Sequence, residues 1–134
     1  MRFLPYLINH FTQMSKPKTL VLGATTNADR YAFLAANRLH NAGHAIELVG
    51  IKPGDVAQHA IQTGKPALEN IDTVTLYVGP KNQPEWYDYV VKLNPRRVIF
   101  NPGTENADFQ TLLTSHKIEA IEACTLVMLS TKTY

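Results

Sequence analysis

An α/β domain built on one parallel sheet is the fold this sequence predicts, and three observations predict it. Short aliphatic runs alternate along the chain with segments whose apolar residues recur at helical spacing. The first run, Thr19-Leu20-Val21-Leu22, leads into the small and polar Gly23-Ala24-Thr25-Thr26-Asn27 and then into a helix-spaced segment. A second turn rich in Asn, Gly and Thr, Asn101-Pro102-Gly103-Thr104-Glu105-Asn106, follows a later aliphatic run in the same way. Together these predict a three-layer domain with five parallel strands, right-handed crossovers and strand order 3-2-1-4-5. In that order the first and fourth strands are neighbours at the topological switch point, and their two turns face each other across one crevice.

The 134 residues suit a single domain. A composition 45% hydrophobic and 18% charged is that of a folded, soluble chain. A net charge of +2, with no Lys/Arg-rich run, argues against a nucleic-acid partner. The single cysteine, Cys124, excludes an internal disulfide and fits a reducing cytoplasm. The histidines show no ligand spacing: His40 and His44 are separated by Gly43 at a helix end. Residues 1–14 read as an N-terminal extension and residues 15–134 as the domain. Arg2 and the run Phe3-Leu4-Pro5-Tyr6-Leu7-Ile8 are too short to span a bilayer, and no small-residue cleavage site follows. The extension is either a poorly ordered tail or a short amphipathic helix docking on a partner subunit, which would make the protein a homo-oligomer.

From Ala28 to Ala42 the spacing of Tyr31, Leu34, Ala35, Leu39 and Ala42 predicts a helix. Asn27 is its expected cap, Asp29 lies in its expected first turn, and Gly43 ends it. Ala45-Ile46-Glu47-Leu48-Val49 is the second strand and Gly50-Ile51-Lys52-Pro53-Gly54 a loop. Residues 55–71 show no regular pattern. Thr73 to Val78 reads as the third strand, broken by Gly79-Pro80. Asn82 and Pro84 start a helix with the stripe Trp86, Tyr89, Val90 and Leu93, which Pro95 closes. Arg97 to Phe100 is the fourth strand; Phe109, Leu112, Leu113 and His116 mark the next helix face; Ile118 to Ile121 is the fifth strand. Periodicity does not separate strand from helix over Cys124 to Leu129.

The turn after the first strand directs backbone N–H groups at whatever sits above it, and the following helix N-terminus adds partial positive charge, which suits a phosphate. The full G-x-G-x-x-G fingerprint is absent, and small turns also follow strands in α/β proteins that bind nothing. NAD-binding folds usually carry an acid at the end of the second strand. Here Glu47 lies inside the strand, and the strand runs out toward Lys52, which suits a phosphorylated ribose or is a solvated loop lysine. Arg30 near the first turn is either a second cation with phosphate geometry or an ordinary surface arginine early in a helix. Asp29, Glu105 and Asp108 sit in expected first helical turns, where acids stabilise the dipole without any reaction. The apolar neighbours of Cys124 predict a buried, inert thiol; the competing reading places it at the crevice mouth beside a ligand thiol or thioester.

Three blocks resemble a known family. Leu20 to Thr25, Val98 to Asn106 and Glu122 to Leu129 together look like the small stand-alone CoA-binding domain proteins, relatives of the CoA-binding domain of the succinyl-CoA synthetase α subunit. The resemblance covers Lys18 to the C-terminus. It implies a Rossmann-like fold that binds coenzyme A with no established catalysis. By position it implies that Gly23, Ala24, Thr25 and Thr26 hold the pyrophosphate region with Arg30 nearby, and that Lys52 lies near the phosphorylated ribose. Pro80 would border the pocket after strand three, with Asn101, Pro102, Gly103 and Thr104 on its far side. Where many members have Val-Asn-Pro after strand two, this chain has Val49-Gly50-Ile51-Lys52-Pro53. The first expectation is therefore non-catalytic binding of CoA or acyl-CoA. The alternatives are a small NADP- or acyl-CoA-dependent enzyme using Cys124 or Asp108, and a ligand-free module acting by association.

Overall fold

The structure is a computed structural model that describes residues 17–134; the expected extension over residues 1–14 lies outside the described residues. Its elements are β1 (Lys18–Leu22), α1 (Tyr31–Asn41), β2 (Ala45–Val49), β3 (Gly54–Val56), β4 (His59–Gln62), β5 (Ile71–Leu76), α2 (Tyr87–Leu93), β6 (Arg97–Phe100), α3 (Ala107–Ser115), β7 (Glu119–Glu122) and α4 (Thr125–Ser130). Two single-turn 3₁₀ segments, Pro80–Asn82 and Pro84–Trp86, lead into α2.

The α/β expectation holds, and the strand count and order do not. The sheet has seven strands in the order β3-β4-β2-β1-β5-β6-β7, in place of five in the order 3-2-1-4-5. Every pairing is parallel except the β3–β4 hairpin. That hairpin comes from the stretch without a regular pattern. Its strand β4 pairs with β2 through Leu48–Ile61 and Val49–Gln62, so the outer edge of β2 is occupied. The next strand, β5, pairs instead with the free edge of β1. As a consequence β5 separates β1 from β6, and the turns after β1 and β6 are not direct neighbours. The switch point lies between β1 and β5.

Alternation along the buried strands feeds two layers of packing. Leu20 and Leu22 of β1, with Val74, Leu76, Val98 and Phe100, pack against Trp86, Val90, Phe109 and Leu113 from the α2 and α3 side. Val21, Ile46, Leu48 and Ile61 face Ala32, Ala36 and Leu39 of α1, with Leu129 of α4 packed alongside. All four residues of β6 are buried, which explains why that run carries no polar alternation.

The helix ends correct several expectations. α1 begins at Tyr31, not Ala28; Arg30 is its N-cap without a side-chain cap bond, and its first turn holds no acid. Asn27 organises the preceding loop instead: its Oδ1 accepts from the Asp29 N–H at 3.0 Å and its carbonyl from the Arg30 N–H at 3.1 Å. Asn106 does cap α3, accepting from the Phe109 N–H at 3.1 Å. Asn94 in the left-handed region closes α2 before Pro95. Cys124 to Leu129 resolves as the N-cap and body of α4, a helix start pinned by the Asn101 side chain, whose Oδ1 accepts from the Thr125 N–H at 2.9 Å. Among the described residues no helix is long and apolar enough to cross a membrane.

Candidate functional site

Because β2, β1, β5 and β6 run parallel and adjacent, the loops that follow them share the carboxyl edge of the sheet. In spatial order these are the loop after β2 with Lys52, the loop after β1 with Gly23 to Arg30, the loop after β5 with Pro80, and the loop after β6 with Asn101 to Thr104. Three strand spacings separate the first from the last, about 14 Å. All the residues singled out in the sequence therefore lie along one edge, although not across one gap.

Glycines lock the first two loops together. A Cβ on Gly50 would stand 2.2 Å from the carbonyl oxygen of Ala24, and one on Gly54 would stand 2.5 Å from Cγ2 of Thr26. The loop carrying Lys52 thus lies directly against the loop carrying Thr25 and Thr26. Both Gly23 and Ala24 donate their N–H groups to the carbonyl of Val49 at 2.9 Å, so those two amides tie the loop to β2. Thr25 Oγ1 accepts from the Asn27 N–H at 3.1 Å. Among the described residues nothing accepts the N–H groups of Thr25, Thr26 or Ala28. Arg30 and Lys52 are exposed, and among the described residues neither has an ion-pair partner. Glu47 is held by Lys18 at 3.0 Å and by the Gln62 amide at 3.0 Å, so it is not free to take ribose hydroxyls.

The other two loops are held by a buried amide network that sequence reasoning missed in part. Asn101 donates from Nδ2 to Thr75 Oγ1 at 2.8 Å and to the carbonyl of Leu76 at 2.9 Å. With Oδ1 on Thr125, its whole amide is engaged inside the protein. Thr104 donates its hydroxyl to the carbonyl of Asn101 at 2.7 Å and is likewise buried. These two residues, expected to line a pocket, are buried with their side-chain polar atoms bonded inside the protein. Pro80, Pro102 and Gly103 are exposed. Gln83, fully buried, bridges the two loops. The only local signal for Gln83 is a polar residue bracketed by Pro80 and Pro84.

Tyr77 joins the two halves, since Gly23 rests on its backbone. Burial pushes the Tyr77 phenol up to about 12, against hydrogen bonds with Thr75 and Thr125 that pull the other way. Cys124 is half-buried rather than buried. Asp29, Glu105 and Asp108 are exposed, and Glu105 accepts from the Gly103 N–H at 2.9 Å. Among the described residues no group of three or more His, Cys, Asp and Glu side chains is placed to hold a metal ion.

Along this edge, among the described residues, amides without acceptors and two cations without ion-pair partners lie on the loops after β1 and β2, and open backbone lies on the loops after β5 and β6, where a Cβ on Gly79 or Gly103 would meet nothing within 4 Å. Comparison with solved structures agrees with this architecture. A crystal structure of an uncharacterized protein is 50% identical, covers 88% of this chain and 98% of its own, and superposes with a TM-score of 0.86. A Thermus thermophilus protein at 16% identity has a TM-score of 0.78 and covers 96% of this chain and 98% of its own. A hypothetical protein from Pyrococcus horikoshii at 21% identity has a TM-score of 0.75, covering 94% and 89%. The latter two likenesses concern the fold alone. A comparison with curated proteins gives no match. A family model described as a CoA binding domain matches residues 17–130, and that span takes in every strand and helix that builds the carboxyl edge; the chain belongs to the CoA-binding domain family.

Proposed function

We propose that this domain binds coenzyme A, free or acylated, along the carboxyl edge of its sheet and catalyses no reaction on it. The observation that supports this reading is the interlock of the Gly50–Gly54 and Gly23–Asn27 loops: the loop that carries Lys52, exposed and without an ion-pair partner among the described residues, lies directly against the loop whose Thr25 and Thr26 N–H groups have no acceptor among them. In this reading the N–H groups of Thr25 and Thr26 and the Arg30 guanidinium hold the diphosphate. Lys52 holds the phosphate on the ribose. Pro80, Pro102 and Gly103 border the pantetheine arm, while Gly23, Ala24, Asn101 and Thr104 keep the walls in place. The ligand supplies a thiol or thioester at its far end. Asp29, Glu105 and Asp108 are exposed, and an exposed acid in a first helical turn, as Asp108 is in α3, stabilises the dipole without any reaction, which supports binding over chemistry. The single thiol fits a reducing cytoplasm.

Isothermal titration with CoA, dephospho-CoA, NADP and NAD tests the reading. CoA gives binding heat and dephospho-CoA binds more weakly. Clear binding of NADP with no heat from CoA overturns it.

A further inference from the structure

We infer that Gln83 is a positioning residue that sets the spacing between the loops after β5 and β6, and so selects for the arm of the ligand rather than its nucleotide. The inference rests on the CoA reading above. Gln83 sits between the two 3₁₀ turns, with Pro80 and Pro84 opening the turns before and after it. It is 0% exposed, an unusual place for a glutamine. Its Nε2 donates to the carbonyl of Val78 at 2.9 Å, in the loop after β5, and to the carbonyl of Thr104 at 2.8 Å, in the loop after β6. Its Oε1 accepts from Asn106 Nδ2 at 2.8 Å. Asn106 in turn donates to the Tyr87 hydroxyl at 2.9 Å and caps α3.

Both donors and the acceptor of one buried amide are thus satisfied across two loops that share no strand pairing of their own. A buried amide of this kind admits one separation between its two carbonyl partners, because stretching either bond leaves a buried polar group unmet. The residues that follow Val78 and precede Thr104 are Gly79 and Gly103, and both face open space. Above the strand ends that Asn101 ties together, Gln83 thus holds the two carbonyls next to these glycines, and in this inference it sets how far apart the glycines stand. The phosphate-side loops contain no partner of Gln83, so its influence falls on the distal part of a bound ligand.

The test compares CoA with adenosine 3′,5′-bisphosphate, which carries the phosphorylated nucleotide without the pantetheine arm. In Gln83→Met, which keeps the length without the amide, affinity for CoA falls about tenfold while affinity for the bisphosphate changes less than about twofold. Asn106→Asp keeps the α3 cap but removes the donor to Gln83, and shows the same selectivity at smaller size; it serves where Gln83→Met does not fold. Equal loss for both ligands, or no loss for either, overturns the positioning role while the CoA reading stands. Failure of the unaltered protein to bind either ligand overturns the CoA reading and the inference with it. Amide hydrogen exchange without ligand supplies an independent readout at two buried, hydrogen-bonded amides on either side of Gln83, Trp86 (to the Gln83 carbonyl, 2.8 Å) and Thr104 (to the Asn101 carbonyl, 2.9 Å): faster exchange there with unchanged exchange at Gly23 is expected, and unchanged exchange at Trp86 and Thr104 refutes the role.

Discussion

Gly23 rests on the backbone of Tyr77: a Cβ at Gly23 would lie 2.9 Å from the Tyr77 carbonyl carbon and 3.0 Å from its oxygen. The Tyr77 N–H donates to the carbonyl of Leu22 at 2.8 Å, so the strand pairing of β1 and β5 continues directly into this contact. The switch-point loops are therefore in van der Waals contact at their base.

Gly23→Ala places a side chain in this contact on a backbone at φ +102°. It is expected to destabilise the domain by about 2–4 kcal/mol in urea titration, through strain and overpacking. Gly79→Ala is the control, since its φ is −63° and its Cβ meets open space; its stability changes by less than about 0.5 kcal/mol. Equal effects at the two positions contradict the close approach.

Asn101→Ala removes three buried hydrogen bonds at once and strands the carbonyl of Leu76 and the N–H of Thr125. A loss of about 2–4 kcal/mol is expected, with the start of α4 losing protection in hydrogen exchange before the β1–β2 pair. A neutral outcome shows that the Asn101 amide is not the clamp described here.

Lys52→Ala leaves folding untouched, because Lys52 is exposed and without an ion-pair partner among the described residues. Calorimetry should show CoA binding weakened about tenfold, with dephospho-CoA changed little and the wild-type salt dependence reduced. Equal weakening of CoA and dephospho-CoA moves the contact away from the ribose phosphate.

The Tyr77 phenol, raised by burial to about 12, makes stability fall in alkali. An unfolded tyrosine ionises near pH 10. Between about pH 10 and about pH 12 the unfolded chain has lost the proton that the folded chain retains, so unfolding is favoured as pH rises; the contribution is intact below pH 10. Burial raises Tyr89 and Tyr134 as well, so the difference between the parent and Tyr77→Phe isolates this group. Denaturant midpoints measured across that range should decline less steeply in Tyr77→Phe. Identical slopes place the alkaline loss elsewhere.

The gap between sequence and structure has a specific origin in the β3–β4 hairpin. Its two-residue turn is formed by Ala57 (φ 52°) and Gln58 (φ 64°), both in the left-handed region. That turn ordinarily announces itself through Asn-Gly or Asp-Gly, which this chain lacks. His59 Nδ1 lies 2.7 Å from the Ala57 carbonyl and helps hold it, a contact with no sequence signature. Gly50 and Gly54, on either side of Lys52, were the readable trace of the loop interlock, but a glycine alone does not say which backbone approaches it.

Local order is what the residues determined unaided. Aliphatic runs became strands and helical spacing became helices, and the small polar turns fell at carboxyl ends of strands, because burial and backbone preference act within a few residues. Which strand lies beside which was decided by the tertiary structure. An edge accepts one neighbour, and the weakly patterned hairpin occupies the edge of β2, so β5 pairs with β1 and the switch point lies between those two strands. Periodicity records that a face is covered and carries no information about what covers it.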